Sequence, residues 1–164
     1  MFPRARMSWL FVAVAGAASA CASAVLDVSS PVVFPVRTAR LEIRDETRGD
    51  ISAAQLRHLE EILAGELRDS GIAVVEPRAG EVTDVVGTLE TFDPGIRALR
   101  FVTHYGFGTG RMQSRWEVTD PRSEFPATCS IDGSISLGTF GGSFDDVERE
   151  VGRALARFLK GKID

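Results

Sequence analysis

Few residues in this chain have the type and spacing to do chemistry. Its two cysteines are Cys21 and Cys129, and its two histidines are His58 and His104. Gly106-Phe-Gly-Thr-Gly110 is a glycine-rich run, preceded by Arg97 and Arg100 and followed by Arg111 and Arg115. Glycines so spaced let a backbone approach a phosphate. A dinucleotide site, however, needs a strand before them and a helix after them, with the helix N-terminus on the pyrophosphate. Here Arg111 to Val118 alternates as a strand, and no Lys-Ser/Thr pair completes a phosphate loop. The run reads as a connection between strands or as a partner-binding loop, and no cofactor is expected. Gly138-Thr-Phe-Gly-Gly142 leads into a helix, but Asp145 and Asp146 in the first turn of that helix repel an anion. No Cys/His spacing matches a zinc site, and no Gly-x-Ser-x-Gly elbow is present, so no metal or catalytic residue is assigned.

The arginines suggest binding. If the strands flanking the glycine loop pair, Arg100, His104, Arg111 and Arg115 share the outer face of the sheet beside Gly106, Gly108 and Gly110. Arginine suits carboxylate and phosphate by bidentate contact, and a basic patch on an acidic protein steers an anionic partner. The plainer reading is a solvated face whose charges keep a sheet edge from aggregating. A rival from another class is an enzyme acting on an envelope substrate around this loop, which requires His104, Arg111 and an acid to converge. A third is a soluble periplasmic carrier of a small ligand, which requires a large apolar cavity.

Cys21 belongs to a different kind of signal. Arg4 and Arg6 precede the apolar run Trp9-Leu-Phe-Val-Ala-Val-Ala15 and the small residues Gly16-Ala-Ala-Ser-Ala20. That sequence has the charged, apolar and small-residue regions of a bacterial secretory signal, and the run is too short to span a bilayer. Ala18-Ser19-Ala20-Cys21 resembles a lipobox, in which the cysteine is acylated and anchors the protein, although Ala18 stands where a large aliphatic residue is usual. Cleavage after Ala20 or Ala24 as an ordinary A-x-A site is the other reading. Ala22 after the cysteine, rather than Asp, resembles the sorting pattern for the outer membrane. A lipidated Cys21 leaves Cys129 unpaired and in need of burial, whereas an unmodified Cys21 leaves a Cys21–Cys129 disulfide open.

The elements that carry these residues belong to one domain. Of 164 residues, 44% are apolar and 26% charged, with a net charge of −4, a pI near 5.3 and mean hydropathy of +0.02. This excludes collagen-like, disordered and disulfide-knotted classes and a basic nucleic-acid arm. Residues 1–20 carry Arg4, Arg6 and no acid, so the 144 residues after them have a net charge of −6. Residues 1–20 are expected as the signal peptide, 21–34 as a tether and 35–164 as a single periplasmic domain.

Ser52-Ala-Ala-Gln55 is a capping box opening a helix with the stripe Leu56, Leu59, Leu63, Leu67. Ser143, with Asp146 three residues on, opens a second with the stripe Val147, Val151, Leu155, Phe158. Between them the period becomes 2. Strands are expected over 36–44, 72–75, 82–92, 99–105, 111–118 and 125–137, the last bent at Gly133 with Phe125 and Cys129 inward. The fold class is α+β: a mainly antiparallel sheet with two amphipathic helices on one face.

Val86-Gly-Thr-Leu-Glu90, Pro94-Gly-Ile-Arg-Ala-Leu-Arg100, Tyr105-Gly-Phe-Gly-Thr-Gly-Arg-Met112, Trp116-Glu-Val-Thr-Asp120 and Gly141-Gly142 together resemble the bacterial lipoproteins grouped as domain of unknown function 4410. The likeness covers residues 36–160. Where members continue with Thr-Gly after the aspartate, this chain has Pro121-Arg-Ser. The resemblance implies export and a single compact domain, and it implies no reaction. The chain therefore reads as a non-enzymatic lipoprotein on the periplasmic side of the outer membrane. Its role there is accessory, binding an envelope protein or an anionic envelope polymer and no nucleic acid. Nothing in the sequence speaks to oligomeric state.

Overall fold

The computed structural model of the chain describes residues 21–75, 82–95, 110–136 and 143–162. The expected signal peptide, the expected strand over 99–105 and the bend expected at Gly138–Gly142 lie outside them, as do Arg100, His104, Gly106 and Gly108. The elements are strands β1 (Cys21–Ser30) and β2 (Thr38–Asp45), helix α1 (Ala53–Asp69), strands β3 (Ala73–Val74), β4 (Thr83–Asp93), β5 (Gly110–Thr119) and β6 (Ala127–Ser136), and helix α2 (Phe144–Leu159). Six strands make one sheet in the order β1-β6-β5-β4-β2-β3. The pairs β1–β6, β6–β5 and β5–β4 are antiparallel, while β2 runs parallel to both β4 and β3. Both helices cover one face, so the fold is α+β, as the periodicities indicate.

Each helix starts where its capping residues place it. Ser52 Oγ accepts the Gln55 amide at 3.3 Å, and Gln55 Oε1 accepts the Ser52 amide at 3.0 Å. Ser143 and Asp146 repeat the box on α2. Leu59, Leu63 and Leu67 of α1 and Val147, Val151, Leu155 and Phe158 of α2 are all completely buried. Burying one such side chain contributes roughly 1.5–3 kcal/mol. Beneath them, Val85, Leu89, Met112, Trp116, Cys129, Ile131 and Ile135 form the sheet's inner face.

Two glycines let α2 come close. A Cβ at Gly133 would stand 2.6 Å from a Val151 methyl and 2.8 Å from one of Val147. One at Gly110 would stand 2.7 Å from the Phe144 ring. Gly133 therefore makes room for a helix and does not bend its strand: the β5–β6 register runs through it without a shift.

Of the segment 21–34 expected as a tether, Cys21–Ser30 is instead the edge strand β1. Ala22, Ala24, Leu26 and Val28 are half-buried against the core, while Ser23, Val25, Asp27 and Ser29 face solvent. The exposed Val25 hides this alternation in the sequence. Phe125 also departs from expectation: β6 begins at Ala127, and Phe125 is 72% exposed. Register also removes the open disulfide. Cys21 pairs with Ser136 and Cys129 with Val28, seven residues along, or roughly 24 Å at strand rise, whereas a disulfide needs Cα atoms within about 7 Å. Cys129 is a free, buried thiol, pushed up to about 12 by burial.

The turn from β5 to β6 is held by Asp120, which is 6% exposed. Its carboxylate accepts the Arg122 amide at 2.8 Å, the Arg122 guanidinium at 2.6 and 2.8 Å, and the Thr83 hydroxyl at 3.1 Å. Arg122 is the main reason its pKa falls from 3.8 to about 2. A depressed carboxylate stabilises the fold above its unfolded pKa, and that stability is lost as pH falls through the folded value. Asp120→Asn should therefore cost about 2 kcal/mol in urea unfolding at pH 7, and the difference from the parent should close between pH 4 and 2. Gly133→Ala should cost about 1–3 kcal/mol by the same measurement, because the added methyl meets packed valines on both sides.

Candidate functional site

The outer and inner faces of the sheet carry different polar groups. On the outer face, Arg111 and Arg115 of β5 both point to solvent, as their alternation requires. Each meets a carboxylate. Arg111 makes a two-pronged contact with Asp132, which also accepts Gln113 at 3.3 Å, and Arg115 pairs with Glu90. The Arg111 guanidinium holds the Asp132 carboxyl below its usual range. Arg40–Asp84 at 2.9 Å and Arg44–Glu42 at 2.8 Å continue the pattern on β2 and β4. The described part of this face alternates in charge. Gly110, the third described member of the expected partner-binding surface, is on the opposite face beneath Phe144.

A second constellation lies at the open end of the helix layer. A β-bulge places Glu90 out of register between Leu89 and Thr91, so the inward alternation changes phase and Phe92 faces the core. The Phe92 ring meets that of Phe144 edge to face, with centroids 5.0 Å apart and planes at 80°. These rings and Pro94 wall a cleft of about 440 Å³, whose polar rim is Gln55 and His58 of α1 and Asp145 and Glu148 of α2. His58 Nε2 lies 3.7 Å from Asp145 Oδ2 and 4.0 Å from Glu148 Oε2. Both distances are too long for a hydrogen bond.

Glu148 is the unusual member. Its side chain is 3% exposed, and its Oε2 is buried with no hydrogen-bond partner among the described residues. Burial first, and the Asp145 carboxylate second, push its pKa up to about 7, while His58 and Arg149 oppose the shift. Three side chains thus offer donor atoms within 4.8 Å of one another. Such a set can exchange protons near neutrality or surround a small cation. Sequence reasoning passed over it because His58 and Glu148 are far apart along the chain. One signal was available: Glu148 sits in phase with Phe144, Val151 and Leu155, where an apolar residue is expected.

Against known proteins the likeness is one of shape. No protein-family model matches the chain, and no curated protein matches it in sequence. Among solved structures, it is similar to the PelC dodecamer from Paraburkholderia phytofirmans, with 17% identity and a TM-score of 0.55, over 85% of this chain and 99% of that one. A single-substitution variant of the same dodecamer gives 16% identity and a TM-score of 0.57 over the same shares. The chain has the PelC fold.

The orphaned oxygen of Glu148 has an energetic consequence. At pH 8, with a chelator present, Glu148→Gln should raise stability by about 1–3 kcal/mol in urea unfolding, because it removes a buried, uncompensated charge.

Proposed function

We propose that the chain is an exported lipoprotein, acylated at Cys21 on the periplasmic side of the outer membrane, whose domain is a non-catalytic structural subunit that assembles with copies of itself. The observation carrying this reading is β1. It begins at the cysteine that follows the signal-like segment, and it is an edge strand of ten residues. Among the described residues, β6 is its one strand neighbour, so the outer row of backbone donors and acceptors has no strand partner. Long edges of this kind are templates for pairing with another chain. The opposite edge, β3, has two residues. Val25, 68% exposed on β1, adds an apolar contact at that edge.

The PelC fold supports the assembly part, since the PelC structures are dodecamers. The resemblance to the lipoproteins of domain of unknown function 4410 supports the anchor, and two acyl chains suffice for stable membrane attachment. An accessory role in holding an envelope protein or anionic polymer is in keeping with both.

The test has two readouts on the full chain expressed in a bacterial envelope. Metabolic labelling with a fatty-acid analogue should mark the parent and not Cys21→Ala. Native mass spectrometry of the labelled protein in detergent should show a closed oligomer, and Val25→Lys together with Ser23→Pro should reduce it to monomer. An unlabelled parent removes the anchor, and a monomeric parent removes the assembly.

A further inference from the structure

The cleft between α1 and α2 holds a grouping that neither the anchor nor the assembly uses. His58, Asp145 and Glu148 come from two helices and converge at its rim. We infer that His58 Nε2, Asp145 Oδ2 and Glu148 Oε2 form a binding site for a divalent transition-metal ion of the zinc type, with a fourth position open to the cleft.

Four observations carry this. The first is the orphaned Oε2 of Glu148, a residue of the cleft's lining, which is buried and has no hydrogen-bond donor among the described residues. Buried carboxylates are normally satisfied, and a cation is the partner that this position lacks. The second is distance. Ligands about 2.1 Å from a tetrahedral ion stand roughly 3.4 Å apart. The separations from His58 are 3.7 and 4.0 Å, and all three donor atoms lie within 4.8 Å of one another, close to that spacing.

Ligand type is the third: one imidazole with two carboxylates suits zinc, cobalt or manganese, whereas calcium and magnesium prefer an all-oxygen set. Charge is the fourth. With the Glu148 proton released on binding, two carboxylates offer about −2, which exceeds the roughly +0.5 of the α2 N-terminus that would otherwise repel a cation. The first turn of α2 is also capped, with Ser143 Oγ accepting the Asp145 amide.

The site is tested by titrating the full chain, purified in detergent and stripped with chelator, with zinc chloride in a calorimeter and with cobalt chloride in a spectrophotometer. The expected result is one zinc per chain at micromolar affinity or tighter. Visible cobalt bands of a low-coordinate nitrogen–oxygen site and a rise in Tm of several degrees should accompany it. His58→Ala changes an exposed position on a helix, so the fold should survive, and it should weaken zinc at least tenfold and abolish the cobalt bands. Glu148→Gln should weaken zinc equally while melting no lower than the stripped parent, which separates loss of a ligand from loss of structure. No stoichiometric binding, binding unchanged in His58→Ala, or magnesium binding as tight as zinc would each overturn the assignment.

Discussion

The close approach of α2 to the sheet is the constraint on which the rest of this structure depends. Here Gly133 and Gly110 remove the side chains directly beneath Val147, Val151 and Phe144. The helix settles into that channel and in turn meets α1 at Gly152, where a Cβ would stand 2.9 Å from Glu66. Arg153 bridges the same seam to Glu66 at 3.2 Å and also pairs with Glu150 of its own helix at 2.7 Å. Because α2 sits low, its first turn reaches the end of β4, and the cleft with its three donors is a product of that closeness.

Trp116 shows the same economy on the neighbouring strands. It pairs across the sheet with Gly87, whose missing side chain leaves space for the indole ring. The indole N–H donates to Ser114 Oγ at 2.9 Å, and that hydroxyl is 3.4 Å from the Ile131 carbonyl. A large aromatic ring is thereby buried without stranding its polar atom. Gly87, Gly110 and Gly133 each stand on the sheet's inner face against a larger side chain, so together they set which side chains can occupy the core.

Much of this was legible in the sequence wherever one element carries its own signal. Capping boxes at Ser52 and Ser143 and stripes at 3.6-residue spacing mark both helices, and polar–apolar alternation marks the β5–β6 hairpin and the burial of Cys129. What was not legible depends on register between distant segments. Arg111 and Arg115 read as a basic patch because nothing local shows Asp132 and Glu90 beside them. Glu90 reaches Arg115 only after a bulge that no turn residue announces. β1 was obscured by Val25, an apolar residue on a solvent face, and Gly133 looked like a bend because the helix above it is invisible along the strand. His58 and Glu148 meet only once two helices have docked.

The loss of the tether changes what an anchor at Cys21 means. Fourteen extended residues would give a domain roughly 46–50 Å of reach above a membrane. With β1 beginning at Cys21, that leash is gone, and an anchor placed there would be a rigid foot. Cys21 stands two residues beyond the row that Ser23 makes with Ser134, Arg111 and Asp93 across four adjacent strands. That row is also the end of the sheet where Phe92, Phe144 and the cleft lie. A foot at Cys21 would hold the cleft's end of the domain toward the lipid headgroups and the turn at Asp120 away from them, so that the domain acts where it stands.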